Sequence, residues 1–313
     1  MTTDVYIVSG FLGAGKTTLI QKILRETFKE DKVILIENDF GEISVDSALL
    51  KSDGVEVKEI NSGCICCSLQ GDFVASIREI VDKFKPDKII IEPSGIAKLS
   101  DIVKACNHSQ INQYIKVKKK ITVVDTEFFE IYLEDFGEFF EDQIKNADVI
   151  VLSHGETFPD KAAKAGELIK SINPHAFVFS KEWAHISIDK ILFCENNHKN
   201  RNSCVEHHEC GGSEHDEHEH HHDAEEIFDT LTLFTKRIFT VNDLRERILE
   251  MKQIFQGAIL RVKGIVSGEN GYINLQYTHG DLQITETSAE GDFICIIGSN
   301  LDKQNLARIF EGY

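Results

Sequence analysis

Six short runs of β-branched and apolar residues alternate with helical stretches over the first 180 residues, and this alternation constrains the fold most strongly. Runs such as VILIE and KIIIE are typical of strands that are buried on both faces of a parallel sheet. We therefore predict an α/β fold, with an open, mostly parallel sheet and helices on both of its faces. The predicted strands are 5–9, 33–37, 88–92, 121–125, 148–153 and 176–180, and helices are expected at 16–28, 72–84 and 160–172.

The composition changes abruptly after this region. Residues 195–226 contain almost no apolar side chains, so we interpret them as a flexible linker. The predicted organisation is an α/β domain at 1–194, the linker, and a small α+β domain at 227–313. In the last domain we expect several strands, a helix capped near Thr240 or Asn242, and a terminal helix after Leu301.

The charge balance argues against two classes of partner. Lys and Arg number 34 against 52 Asp and Glu, which gives a formal net charge of −18 and disfavours nucleic acids and anionic membranes. The first residues go directly into a strand pattern without a signal peptide, and no apolar run reaches the roughly 18 residues that span a bilayer. We expect a soluble, cytoplasmic protein without structural disulfides. In it, Cys106, Cys194 and Cys295 are expected to be small core residues rather than reactive thiols.

A phosphate-binding loop follows the first strand. In GFLGAGKTT, Gly10, Gly15, Lys16 and Thr17 satisfy the G-x-x-x-x-G-K-[ST] motif, between a strand and a helix. Its backbone N–H groups and the N-terminus of the helix bind phosphate, Lys16 reaches the β- and γ-phosphates, and the Thr17 hydroxyl binds Mg²⁺. The candidate nucleotide-binding residues here are Gly10, Gly13, Ala14, Gly15, Lys16, Thr17 and Thr18.

Acidic residues follow two other strands. Glu92 ends the strand at 88–92, where a carboxylate can act near Mg²⁺ or the attacking water, so Lys16 and Glu92 are the candidate catalytic residues. The segment ENDFGE places Glu37, Asp39 and Glu42 around a glycine after the second strand. We interpret it as a switch loop, although an ordinary solvated acidic turn has the same composition.

These motifs, together with GCICC at 63–67, resemble the CobW-like family of P-loop GTPases, whose relatives include the nickel-insertion GTPases of hydrogenase and urease maturation. IEPSG at 91–95 fits the same pattern, and ILRVKGIV (259–266) and IIGSNLD (296–302) resemble the C-terminal domain of that family. The resemblance implies a GTP-hydrolysing metal chaperone or insertase with a client protein. It implies that Cys64, Cys66 and Cys67 bind the metal, and that Glu37 and Glu42 are further ligands or relay metal occupancy to the nucleotide.

The chemistry of the thiols supports a metal site. Thiolates are soft ligands that suit Zn²⁺ or Cu⁺, and three of them supply most of a tetrahedral zinc shell. Zn²⁺ is the preferred metal, while Co²⁺, Ni²⁺ and Cu⁺ also fit the ligands. A redox switch or inert buried thiols remain as alternatives.

The base-reading motif departs from the usual pattern. GTPases of this kind carry [NST]-K-x-D, in which the acid pairs with guanine and the lysine lies along the ring. Here SHGE supplies Ser153, His154 and Glu156. A carboxylate still accepts two hydrogen bonds from guanine, so we predict GTP, with ATP or loose specificity as the alternative.

A histidine-rich tract lies within the predicted linker. Between Cys204 and Asp223, imidazoles are interleaved with acids and with Cys210, a composition suited to metal capture or to a merely solvated linker. Its histidines, which we treat as auxiliary metal ligands, are His207, His208, His215, His218, His220, His221 and His222.

The sequence thus predicts a GTP-hydrolysing metallochaperone that delivers zinc to a client metalloprotein. The alternatives are a nucleotide-binding zinc buffer or sensor without a transfer cycle, and an ATP-using P-loop enzyme. The sequence identifies neither the client nor the oligomeric state.

Overall fold

The structure, a computed structural model, describes residues 2–37, 56–59, 70–181, 183–194, 228–255, 259–278 and 281–311. Several predictions fall on other residues and lie outside the described part of the chain. These are the linker, Asp39, Glu42, Cys64, Cys66, Cys67, Cys204, Cys210 and His207, His208, His215, His218, His220, His221 and His222.

A seven-stranded sheet forms the first half of the described chain, in the order β3-β2-β4-β1-β5-β6-β7. Every pairing recorded in it is parallel, as the sequence predicted. The strands are β1 (Thr3–Gly10), β2 (Val33–Glu37), β3 (Glu56–Glu59), β4 (Lys88–Glu92), β5 (Ile115–Asp125), β6 (Val149–Ser153) and β7 (Phe177–Phe179). All six predicted strands are present. The seventh, β3, is the outermost strand of the sheet. It was not predicted because its sequence, EVKE, lacks an apolar run.

Helices cover both faces of this sheet, which confirms the predicted layering. Successive residues of β1 alternate between two buried clusters, Val5 and Ile7 in one and Tyr6 and Val8 in the other. The helices are α1 (Lys16–Glu26), α2 (Gln70–Phe84), α3 (Leu99–Cys106), α4 (Phe129–Asp135), α5 (Gly137–Lys145), α6 (Pro159–Ile172) and α7 (Ile188–Phe193).

A second, antiparallel sheet follows, in the order β11-β10-β9-β12-β8. Its elements are β8 (Asp229–Phe234), α8 (Val241–Ile254), β9 (Ile259–Gly268), β10 (Gly271–Thr278), β11 (Asp281–Thr287), β12 (Phe293–Gly298) and α9 (Lys303–Glu311). Thr240 caps α8, because its Oγ1 accepts a hydrogen bond from the Asp243 amide at 3.0 Å. The predicted α+β class and the cap at Thr240 are therefore confirmed.

The two sheets share part of one apolar core. Phe228, Leu260 and Ile297 belong to the same buried cluster as residues of the first sheet. The Phe228 ring lies 5.2 Å from that of Phe139 on α5 in an edge-to-face arrangement. The boundaries expected at 194 and 227 remain predictions.

Two of the three isolated cysteines are core residues, as expected. Cys106 and Cys295 are buried, and burial raises the pKa of the Cys106 thiol to about 12, so it stays protonated. Cys194 is partly buried and packs against the second buried cluster, so it lies at the border of the core. No helix in the described ranges has the length and apolarity to cross a bilayer.

The Asn173 side chain hydrogen-bonds to backbone groups that precede β6 and β7. Its Nδ2 donates to the carbonyl oxygens of Ile144 and Ala147 at 2.8 and 3.0 Å. Its Oδ1 accepts from the amides of His175 and Ala176 at 3.2 and 3.1 Å. The side chain is 6% exposed, so these groups have little access to water.

We expect Asn173→Ala to lower the free energy of unfolding by about 2 kcal/mol, because buried backbone groups lose their partners. Urea denaturation followed by circular dichroism measures this change. Asn112→Ala, at an exposed turn position, is the matched control and should change it by less than about 0.5 kcal/mol. Equal effects of the two substitutions would contradict the role of Asn173.

Candidate functional site

The phosphate loop joins β1 to α1 through a backbone that only glycine adopts easily. Gly10, Gly13 and Gly15 have φ values of 144°, 77° and 99°. A Cβ on Gly10 would lie 2.3 Å from the carbonyl oxygen of Val123 on β5, so no side chain fits there. Gly15 is the N-cap of α1 and has no side chain to occupy the helix N-terminus, which is a favourable position for phosphate.

The candidate catalytic side chains lie beside this loop. Lys16 is 6% exposed, and its Nζ donates to the carbonyl oxygen of Phe11 within the loop at 3.3 Å. The Thr17 hydroxyl donates to Oε1 of Glu92 at 3.3 Å. The structure therefore brings the proposed Mg²⁺ ligand and the proposed catalytic acid into contact.

Glu37 is the neighbour of Glu92 in the sheet. The two residues pair in register at the ends of β2 and β4 and are 4% and 8% exposed. Two buried carboxylates side by side lose hydration and repel each other, which a cation relieves. The Glu92 carboxylate and the Thr17 hydroxyl that contacts it are oxygen donors of the kind that Mg²⁺ binds.

The loop after Glu92 packs directly on the phosphate loop. A Cβ on Gly95 would lie 2.8 Å from the amide nitrogen of Leu12. The Gly95 carbonyl accepts a hydrogen bond from the buried side chain of Gln143 at 3.0 Å. A change in either loop therefore has to be accommodated by the other.

The SHGE segment begins at the end of β6. Ser153 is buried, and its hydroxyl donates to the carbonyl of Val124 at 3.4 Å. His154 has a left-handed backbone with φ 58°, and its Nδ1 lies 3.2 Å from Oδ2 of Asp125. Glu156 is exposed. Because all strands of this sheet are parallel, SHGE lies at the same edge as the phosphate loop.

Three residues next to the predicted site were missed by the sequence analysis. Asp125 contacts His154, Trp183 lies against Gly15, and Thr278 lies against Gly13. Asp125 ends β5 and Trp183 comes soon after β7, so the rule that ligands bind beyond the carboxyl ends of parallel strands was a usable signal for both. Thr278 ends β10 of the second sheet, and nothing in the sequence links it to the loop.

Of the predicted transition-metal ligands, Glu37 lies within the described ranges. Within those ranges, no three or more His, Cys, Asp or Glu side chains are arranged to hold a metal ion. The C-x-C-C motif and the histidine tract lie outside them, so their metal-binding role stays a prediction.

Two family models match the chain. Residues 4–180 match the CobW/HypB/UreG nucleotide-binding domain, and residues 228–313 match the C-terminal domain of the cobalamin synthesis protein cobW.

Individual relatives match over part of their length. The zinc chaperone CobW of Sinorhizobium sp is 33% identical over 187 residues, which is 51% of this chain and 52% of the relative. The zinc chaperone YjiA of Escherichia coli is 31% identical over 198 residues, which is 61% of each chain. The chain thus spans about half to three fifths of the curated relatives it matches.

Among solved structures, the Zn(II)-bound YjiA GTPase from E. coli is 20% identical with a TM-score of 0.48, over 99% of this chain and 98% of the other. The family assignment does not depend on that similarity. It rests on the two matched family models, of which the first covers more than half of the sequence, and on these the chain belongs to the CobW/HypB/UreG family.

Proposed function

We propose that this chain is a GTP-hydrolysing metallochaperone that binds zinc at the motif Cys64, Cys66 and Cys67 and delivers it to a client metalloprotein. The observation that carries the proposal is the contact of Thr17 with Glu92, next to Glu37. This contact joins the phosphate side of the site to β4, and the neighbouring strand β2, which pairs with β4 at Glu37, leads into the acidic segment 37–42.

The strand order supports a short path between nucleotide and thiols. Reading from β1, the neighbouring strands are β4, β2 and β3, and the last ends at Glu59. Three strand spacings amount to about 14 Å. Cys64 follows Glu59 by 64 − 59 = 5 residues, which extend over roughly 18 Å at most. The chain length therefore allows the thiols to approach the nucleotide edge of the sheet.

The relatives support zinc as the cargo and GTP as the nucleotide. Matched relatives bear the name zinc chaperone, and a protein of Dictyostelium discoideum with 27% identity over 229 residues is named zinc-regulated GTPase metalloprotein activator 1. Thiolates are also good zinc ligands, so the chemistry of the motif and the names of the relatives support the same metal.

In the proposed cycle the protein residues act by position and charge. Lys16 and the loop N–H groups would hold the phosphates, Thr17 and Glu92 would hold Mg²⁺, and Glu92 would also help to orient the attacking water. When bound, Mg²⁺ would neutralise the negative charge that develops on the phosphates. Ser153, His154 and Glu156 are the proposed contacts of the guanine base.

Zinc transfer requires that the two nucleotide states differ in zinc affinity. We assign this coupling to Glu37, because it pairs with Glu92 and directly precedes residues 38–42. Glu42 is a further ligand or relay in this scheme. The histidine tract gathers metal, while the C-x-C-C motif is the nucleotide-coupled site.

Cys66→Ser tests the metal site. In a chain lacking the histidine tract, we expect zinc affinity to fall at least tenfold and zinc to lose its effect on GTP hydrolysis, because the serine hydroxyl is a poor zinc ligand. Competition with a chromogenic chelator and phosphate release measure the two effects. Cys194→Ser, outside the motif, is the control, and unchanged zinc affinity in Cys66→Ser would refute the assignment.

Glu37→Gln tests the coupling. The substitution keeps the shape of the side chain and removes its charge, so GDP affinity should change less than threefold while the effect of nucleotide on zinc affinity is lost. Calorimetric titration of zinc in both nucleotide states provides the measurement. Glu30→Gln, at an exposed position between α1 and β2, is the control. If nucleotide still changes the zinc affinity of Glu37→Gln, Glu37 does not couple the two sites.

Zinc affinity in the two nucleotide states tests the whole cycle. A chain lacking the histidine tract is titrated with Mg²⁺ and a non-hydrolysable GTP analogue, and again with Mg²⁺ and GDP. We expect at least a tenfold difference, which corresponds to about 1.4 kcal/mol of coupling. Equal affinities would favour a zinc buffer or sensor, in which nucleotide does not gate the metal.

A further inference from the structure

The SHGE segment, which is proposed to contact the base, lacks the lysine that usually lies along the guanine ring. His154, which replaces it, has its Nδ1 3.2 Å from Oδ2 of Asp125. This interaction directs the imidazole toward the end of β5. The imidazole is thus held from the β5 side, which leaves room for a second group to cover a bound base.

Trp183 lies where such a group is required. It opens the 3₁₀ turn Trp183–His185 after β7, and its Nε1 donates to the carbonyl oxygen of Leu152 at 2.8 Å. Leu152 directly precedes Ser153 of the SHGE segment. At its other end the indole reaches the phosphate loop, because a Cβ placed on Gly15 would lie 3.2 Å from Cη2.

The indole therefore connects the two segments between which a nucleoside has to lie. Phosphates bound by residues 10–17 leave the ribose and base near the N-terminus of α1, and a base read by SHGE lies at the end of β6. Trp183 contacts both places. It packs against the apolar cluster that includes Ala14 and Leu19, and its remaining surface is accessible.

We infer that Trp183 is a wall of the nucleoside pocket and stacks on the purine base, in place of the missing lysine. The inference rests on the proposed nucleotide binding at the phosphate loop. Stacking on an aromatic ring is favourable for any purine, so Trp183 contributes affinity, while the choice between guanine and adenine falls to the hydrogen bonds of Glu156.

The chain contains one tryptophan, so its fluorescence reports on this position alone. In the full-length protein with Mg²⁺, we expect GDP to quench the emission of Trp183, since stacked guanine is an efficient quencher of indole. Pyrophosphate, which occupies the phosphate loop without a nucleoside, should leave the emission nearly unchanged. Emission that is unchanged at saturating GDP would overturn the inference.

Calorimetry on three variants separates stacking from support of the loop. Trp183→Ala should bind GDP about tenfold more weakly than the unsubstituted protein, and Trp183→Phe, which keeps an aromatic face, within about threefold. Pyrophosphate affinity should be the same in both, which also shows that the loop is intact. Phe193→Ala, at a 57% exposed position in α7, is the control and should bind GDP normally.

Two other outcomes have distinct meanings. An equal loss of GDP and pyrophosphate affinity in Trp183→Ala would overturn the inference, because the indole would then only support Gly15. If ADP bound more tightly than GDP and also lost about tenfold in Trp183→Ala, the stacking role would be supported and the GTPase proposal overturned.

Discussion

The parallel pairing of β1 between β4 and β5 is the constraint on which the rest of the site depends. It places Gly10, Glu92 and Asp125 at one edge of the sheet, where their strands end. The pairing continues to Gly10 itself, whose missing side chain allows the Val123 carbonyl to approach. A larger residue at this position would separate β1 from β5 and displace the loop that follows.

From this edge, the site extends in two directions. On one side, Glu92 at the end of β4 contacts Thr17, and Glu37 at the end of β2 pairs with Glu92. On the other side, β5, β6 and β7 lead to the residues around SHGE and to Trp183. The phosphate loop lies between these two sides and contacts both of them, Glu92 through Thr17 and Trp183 through Gly15.

The second domain also contacts the phosphate loop. A Cβ on Gly13 would lie 2.4 Å from Cγ2 of Thr278 at the end of β10, so any side chain at Gly13 has to displace that threonine. Phe228 and Ile297 join the apolar core of the first sheet nearby in the fold. No sequence pattern predicted these contacts, because they join residues far apart in the chain, such as Phe139 with Phe228 and Gly13 with Thr278, and depend on how two separate sheets pack.

The sequence by itself determined six strands of the first sheet and the phosphate loop, because buried parallel strands and a glycine-rich turn are local patterns set by burial and backbone sterics. It did not reveal β3, whose pairing stabilises a polar segment, nor that Cys194 is only partly buried. Only the tertiary structure decided that Thr17 contacts Glu92 and that Trp183 lies against Gly15. Those contacts join segments that are distant in the sequence. Their distances depend on strand order and packing, and no local sequence pattern encodes either of these.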